Sequence, residues 1–333
     1  MNKENLQQKF INAPGKLLGI GHYFPGDPVT NNTIEKEYGF DSNWIVEHTG
    51  VKSRHWAKEG EETFVDLAKK AGEYALKNSG ILVTDIDILV CTSSTTRAFF
   101  NPSTLSNKYM DIALPLQAEL NLSNALCFDI GGAACVGFID ATITAISMLK
   151  AMNLKRAMVV CVENPKPVLN FNYKNSTLFG AGAVVTIWEK CARSDSDLLD
   201  VSLYTDGTHF NAFDIDDSNK ILMKGKEVGE FAPKSLINVT KEILERNNLK
   251  IMDIDWFIPH QANVNIINQL KEEMEIPEHK MLINIDKRGN TSCVGGPSCL
   301  SEYYHMGKIK KGDLIFTCSF GRGFNWGGIL FKA

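Results

Sequence analysis

The chain presents a thiol, an imidazole and a carboxamide, each where a strand gives way to a loop or a helix. Cys135 lies in GGAACVGF (131–138), His260 in IPHQAN (258–263) and Asn290 in GNTS (289–292). A nucleophilic thiol with an imidazole and a further hydrogen-bond donor suits acyl transfer through a thioester. Small residues before Cys135 permit close backbone approach, and the apolar segment after it predicts a helix from about residue 135 to 152. A cysteine at such a helix start is expected to have its pKa lowered by the macrodipole, and the same N–H groups can hold an oxyanion. Singly, each residue has a plainer reading: a buried cysteine, a structural histidine at a sheet edge, a turn asparagine beside glycine. Their combination is what points to an enzyme.

The rest of the composition narrows the class. A chain of 333 residues, 44% apolar and 22% charged, is an ordinary globular protein of two structural units or one large α/β domain. A net charge of −4 and the lack of a basic, aromatic cluster argue against nucleic acid and anionic membranes as partners. Residues 1–10 are polar, without the apolar core of a signal peptide. The most apolar window, 130–149, is interrupted by Asp140 and reads as a buried core helix rather than a membrane span. Eight cysteines occur without a C-x-x-C pair, so neither a metal site nor a disulfide framework is expected. Cys91, Cys161 and Cys318 end apolar runs and read as small buried hydrophobes. A cytoplasmic location is expected.

The positioning elements repeat. A helical pattern at 64–76 leads to DIDILVC (85–91), and another at 236–249 leads to DIDWFI (253–258). The helix after Cys135 then runs into KRAMVVC (155–161), and the segment after Asn290 runs into KGDLIFT (311–317). Two matches in the same order predict a duplicated α/β fold, with continuous apolar strands covered on both faces. The polar run CARSDSD (191–197) is the candidate boundary, giving an N-terminal unit of 1–190 with the cysteine and a C-terminal unit of 191–333 with the histidine and asparagine. Its plainer reading is an exposed hairpin loop.

Five segments in this order resemble the β-ketoacyl-carrier-protein synthase III branch of the thiolase-like condensing enzymes, over nearly the whole chain. WIVEHTGV (44–51), GGAACVGF, PHQAN, GNTS and FGRGFNWG (320–327) carry the resemblance. It implies the five-layered αβαβα thiolase fold and a homodimer. It also implies that Cys135 takes an acyl group from a thioester on coenzyme A or an acyl carrier protein, with no resident cofactor. His260 and Asn290 would stabilise the enolate formed as a malonyl-type extender loses carbon dioxide, and that enolate would attack the acyl-Cys135 carbonyl. The acceptor is a malonyl-type or β-ketoacyl thioester. The loop of Gly321, Arg322 and Gly323 would serve the oxyanion. Trp44, His48, Phe99, Phe100 and Asn263 are the candidate substrate-binding residues.

Departures from the family pattern concern the substrate. Arg322 stands in a loop position that is usually glycine, where it is expected either to read a substrate carboxylate or carbonyl or to make a surface or interface salt bridge. His48 replaces an arginine that clamps the coenzyme A nucleotide beside Trp44, and Tyr173 lies near the place of a second one. Glu272 and Glu273 follow His260 where basic residues usually face the acidic carrier. Ala181 replaces an aspartate, the segment from Asp129 to Cys135 is one residue longer, and 165–167 and 99–101 are altered. A specialised enzyme of secondary metabolism is therefore expected rather than the initiator of fatty-acid synthesis. The alternatives are a non-decarboxylating acyltransferase acting on an O or N nucleophile, a thiolase or hydroxymethylglutaryl synthase, and a silent partner subunit.

Overall fold

The computed structural model describes residues 13–58, 60–96, 111–132 and 134–333. After β1 (Gly15–Tyr23), a short ribbon of β2 (Val29–Thr30) and β3 (Ser53–Arg54) encloses α1 (Asn31–Tyr38) and α2 (Ser42–Thr49). There follow α3 (Phe64–Ser79), β4 (Ile88–Thr92), α4 (Ala113–Leu120), β5 (Leu126–Ile130), α5 (Gly137–Ala151), β6 (Arg156–Glu163) and β7 (Gly182–Lys190). The chain continues through β8 (Leu198–Thr205), a second ribbon of β9 (Phe213–Ile215) and β10 (Ile221–Met223), and α6 (Gly225–Arg246). It closes with β11 (Trp256–Pro259), α7 (Val264–Glu273), α8 (Ile285–Arg288), α9 (Gly295–His305), β12 (Leu314–Gly321) and β13 (Asn325–Lys332).

The two main sheets follow one plan. Their orders are β1-β7-β6-β4-β5 and β8-β13-β12-β11. In each, the first two pairings are antiparallel and the next is parallel. Where β4 pairs in parallel with β5, a lone parallel bridge joins Phe257 to Met281. Helix α3 packs on the first sheet and α6 on the second, while α5 and α9 touch strands of both. The layers are therefore helix, sheet, helices, sheet, helix: the duplicated five-layered αβαβα arrangement.

The repeated D-I-D has a local cause. The Asp87 carboxylate accepts from the N–H groups of Lys155 and Arg156 at 2.8 and 2.9 Å, where β6 begins. Asp255 does the same for Leu314, at the start of β12, at 2.8 Å. Each aspartate thus satisfies strand-end donors that the sheet leaves open. The fully buried run Ile88–Thr92 fits a strand covered on both faces. Cys91, Cys161 and Cys318 are buried, as expected of small strand hydrophobes. The second-half helix begins at Gly225 rather than 236 and runs through Pro233. Packing of Val228, Ala232 and Leu236 against the second sheet outweighs the missing proline N–H. The run 191–197 holds a 3₁₀ turn, Arg193–Asp195, between β7 and β8.

Helix α3 is set by a capping box. The Thr63 hydroxyl accepts from Asp66 N–H, and the Asp66 carboxylate accepts from Thr63 N–H at 2.8 Å. It then lies so close to β1 that a Cβ on Gly21 would stand 2.4 Å from Ala75 N and 2.6 Å from Ala71 O. Those are backbone atoms, so the helix itself would have to move. Gly21→Val is expected to cost about 3 kcal/mol, read as a lower urea midpoint at unchanged slope.

Candidate active site

Two 3₁₀ turns, Ala134–Val136 before α5 and Ser292–Val294 before α9, pack against each other at the centre of the fold. Both begin with a non-glycine residue in the left-handed region, Ala134 at φ +47° and Ser292 at φ +51°. The internal counterpart of Cys135 is therefore Cys293. Asn290, expected at the equivalent helix start, lies three residues earlier. Neither α5 nor α9 has a side-chain cap, so no capping side chain occupies the N–H donors at either start.

Cys135 is half-buried, and its carbonyl accepts from Ser319 Oγ at 2.6 Å. Burial pushes its thiol up to about 12; the Ser292 hydroxyl hydrogen-bonded to it pulls down, and the nearby Glu163 charge adds to the rise. The depression expected from the helix start is overcome, because taking a thiolate out of water outweighs a partial charge of the dipole. At rest Cys135 is a neutral thiol.

His260 follows the last residue of β11, and its N–H donates to Cys318 O at 2.7 Å. Burial, at 3% exposure, lowers its pKa to about 4, so the ring is neutral near pH 7 and offers one donor and one acceptor. Gln261 holds this loop. Its Nε2 donates to Pro259 O, and its Oε1 accepts from the N–H groups of Asn284 and Ile285. The motif PHQAN thus contains a buried positioning residue that the search for reactive groups passes over.

Asn290 is threaded beside the segment 178–180. Its N–H donates to Leu178 O at 2.8 Å and its carbonyl accepts from Gly180 N–H at 3.0 Å. A Cβ on Gly289, at φ +67°, would stand 2.6 Å from Leu178 O, which explains the glycine of GNTS. Asn290 Oδ1 accepts from Ser292 N–H at 2.8 Å. This orients the amide and leaves Nδ2 without a partner among the described residues. One narrow cavity is lined by Cys135, His260, Phe138, Cys293 and Ser319, among others. Asn290 and Ser292 lie outside that lining, next to Cys293, which belongs to it.

Residues 128–207 match the family model for 3-oxoacyl-[acyl-carrier-protein] synthase III, and residues 244–333 match the model for its C-terminal part. The β-ketoacyl-[acyl-carrier-protein] synthase III of Aquifex aeolicus is 35% identical over 318 residues, 95% of this chain and 99% of that one. The chain belongs to the 3-oxoacyl-[acyl-carrier-protein] synthase III family. The crystal structure of the Aquifex aeolicus enzyme superposes with a TM-score of 0.86 at 33% identity, covering 96% of this chain and 100% of that one. The priming β-ketosynthase of the R1128 polyketide pathway gives 0.85 at 26% identity, covering 96% of each chain.

Within this synthase III fold, the outer residues are placed as follows. Trp44 and His48, on α2, stack at 4.5 Å between centroids and 16° between planes. Lys174 Nζ lies 4.6 Å from the Trp44 ring centroid. The cation beside Trp44 is thus Lys174, next to the exposed Tyr173 that the sequence singles out. Asn263 Oδ1 caps α7 through Asn265 N–H, and its Nδ2 donates to His48 O at 3.0 Å, so both ends of that side chain are engaged within the protein. Gly321 ends β12, and Gly321 to Gly323 form the turn toward β13. Arg322 Nε donates to Phe213 O at 3.1 Å, tying this turn to the β9–β10 ribbon. Phe99 and Phe100 lie outside the described residues.

The neutral state of His260 has a consequence for stability. In the unfolded chain a histidine takes up its proton near pH 6.5, whereas folded His260 waits until about pH 4. The unfolded state therefore binds more protons between these values, and stability falls as the pH drops through them. His260→Gln removes this titration. Between pH 7 and 4.5 it is expected to lose about 2 kcal/mol less stability than the wild type, measured by urea unfolding.

Proposed function

We propose that this protein is a ketosynthase that loads an acyl group onto Cys135 and then joins it to a malonyl-type or β-ketoacyl thioester, with decarboxylation of a malonyl-type unit. The observation that carries this reading is the pairing of a nucleophile with spare donors. Neither the His260 ring nor Asn290 Nδ2 has a hydrogen-bond partner among the described residues, and both belong to loops pinned by their own backbones. Donors held in place without a protein acceptor suit an oxygen on which charge develops.

Acyl transfer begins with attack of the Cys135 sulfur on the donor carbonyl; the donor's C–S bond breaks and its thiol leaves. The extender then binds with its thioester carbonyl toward His260 and Asn290. As carbon dioxide leaves, the electron pair moves onto that oxygen, and the resulting enolate carbon attacks the acyl-Cys135 carbonyl. The tetrahedral oxyanion is placed against N–H groups of the α5 start and the 321–323 turn. Collapse expels the Cys135 thiolate, which regains its proton from solvent, and releases a β-keto thioester. None of these steps calls for a metal or a resident cofactor.

The acyl groups are proposed to arrive on coenzyme A or an acyl carrier protein past Trp44, His48 and Lys174. Trp44 is already stacked by His48 and faced by Lys174, and the helix after His260 carries acidic Glu272 and Glu273. These features favour a donor or docking mode specialised away from the usual one, in keeping with a role in secondary metabolism. A homodimer through β5 fits the fold, because this strand pairs only with β4 among the described residues and exposes Leu126. All eight cysteines are free, which suits a reducing cytoplasm.

Incubation with a panel of acyl-coenzyme A thioesters is expected to add one acyl mass at Cys135 and none in Cys135→Ala. His260→Ala and Asn290→Ala are each expected to keep acylation while slowing carbon dioxide release from malonyl thioester by about 100-fold or more. Acylation with no carbon dioxide release from any pairing would instead favour the plain acyltransferase.

A further inference from the structure

We propose that Glu302 is a positioning residue that fixes His260 and Asn290 relative to each other, acting through the short helix α8. The inference rests on the proposed function only in taking those two side chains as donors to one substrate oxygen. Helix α8 spans Ile285–Arg288, a single turn whose own bonds are too few to hold it in place. At its start, Gln261 Oε1 accepts from Asn284 N–H at 3.0 Å and from Ile285 N–H at 3.2 Å, and Gln261 directly follows His260. At its end, Arg288 is followed by Gly289 and Asn290. A shift of this one turn therefore reaches both side chains.

Glu302 grips α8 at both ends. It lies on α9 and is 7% exposed. Its Oε2 accepts at 2.8 Å from Asn284 Nδ2, which also lies 3.3 Å from Ser298 Oγ. Its Oε1 accepts from Arg288 Nε at 3.0 Å and from Arg288 Nη2. Two N–H groups of one planar guanidinium on a buried carboxylate fix direction as well as distance. The guanidinium is also held on its other sides. Its Nη1 donates to His55 Nε2 at 2.7 Å, and Cζ lies 4.1 Å from the Phe24 ring centroid. Because α9 begins at the turn packed against 134–136, Glu302 ties both donors to the frame that carries Cys135.

The use of Asn284 separates this arrangement from a plain ion pair. An asparagine N-cap ordinarily turns its side-chain oxygen onto N–H groups of its own helix. Asn284, the N-cap of α8, makes no such bond. Gln261 serves the helix start from outside instead. The Asn284 amide turns to Glu302 and leaves its buried Oδ1 without a partner among the described residues. A bare buried oxygen is unfavourable, so the tie to Glu302 is kept against a local alternative. A carboxylate that only neutralised Arg288 would leave Asn284 free to cap α8. With Asn284 held as well, both ends of the turn are fixed to one side chain, and the loops of His260 and Asn290 keep one spacing.

Glu302→Ala and Asn284→Ala are each compared with the wild type by two readouts. Asn284→Ala keeps the Arg288–Glu302 pair and the backbone bonds to Gln261, so it tests the tie even if Glu302→Ala fails to fold. Carbon dioxide release from malonyl-coenzyme A is expected to fall about 10-fold in kcat with KM within about twofold, while acylation of Cys135 by acyl-coenzyme A stays within about twofold of wild type. The second readout needs no substrate. In protein carrying isotope-labelled asparagine and histidine, NMR is expected to show the Asn290 amide and His260 ring resonances shifted together. Each resonance is assigned by its loss in Asn290→Ala or His260→Gln. Wild-type kcat with both resonances unmoved in Asn284→Ala would overturn the inference. So would acylation that falls as far as carbon dioxide release, since Glu302 would then serve the fold alone. Resonances that shift together, in a protein that releases no carbon dioxide, would uphold the positioning and reject the proposed decarboxylation.

Discussion

The contact between the turns at 134–136 and 292–294 is the constraint on which the rest of the structure depends. Each turn starts one of the two helices that lie between the sheets, and each starts in a backbone conformation that side-chain-bearing residues seldom adopt. Bringing two such turns together at a buried centre is possible because the sheets share one plan and the turns occupy matching places in it. The duplication gives one turn the thiol of Cys135. It gives the other Ser292, whose N–H holds the Asn290 amide.

From this centre outward, the loops are held by backbone bonds rather than by bulk. Asn290 is pinned by Leu178 and Gly180, and the His260 loop by Gln261 and Cys318. This pinning uses main-chain groups and the Gln261 side chain, and it leaves the His260 ring and Asn290 Nδ2 without partners among the described residues. Trp44 and His48 sit on α2, and Lys174 lies in the segment before β7.

Much of this was legible in the sequence because it is periodic or local. The D-I-D repeat announced the duplicated sheets, and its second aspartate proves to bind the neighbouring strand end in each half. The apolar runs announced buried strands, and the five motifs announced the family. What escaped depends on tertiary context. A thiol at a helix start looks activated in one dimension, yet burial reverses the sign of its shift. Asn290 seemed the counterpart of Cys135, but only the paired turns reveal Cys293 in that place. Tyr173 drew attention through its position, whereas the neighbouring Lys174 points its charge at Trp44. Glu163, whose charge bears on Cys135, gave no local signal at all. The Pro233 helix shows the same limit, since packing on the second sheet outweighed a residue that locally breaks helices.

In the proposed reaction, bond formation at Cys135 is driven by loss of carbon dioxide from a thioester held by His260 and Asn290. The most direct measurement is the stoichiometry of one reaction, with a carboxyl-labelled malonyl thioester supplied to acyl-loaded protein. One labelled carbon dioxide is expected for each β-keto thioester formed, at Cys135 of the loaded protein. An acylated O or N acceptor formed with the label still on the malonyl unit would contradict it.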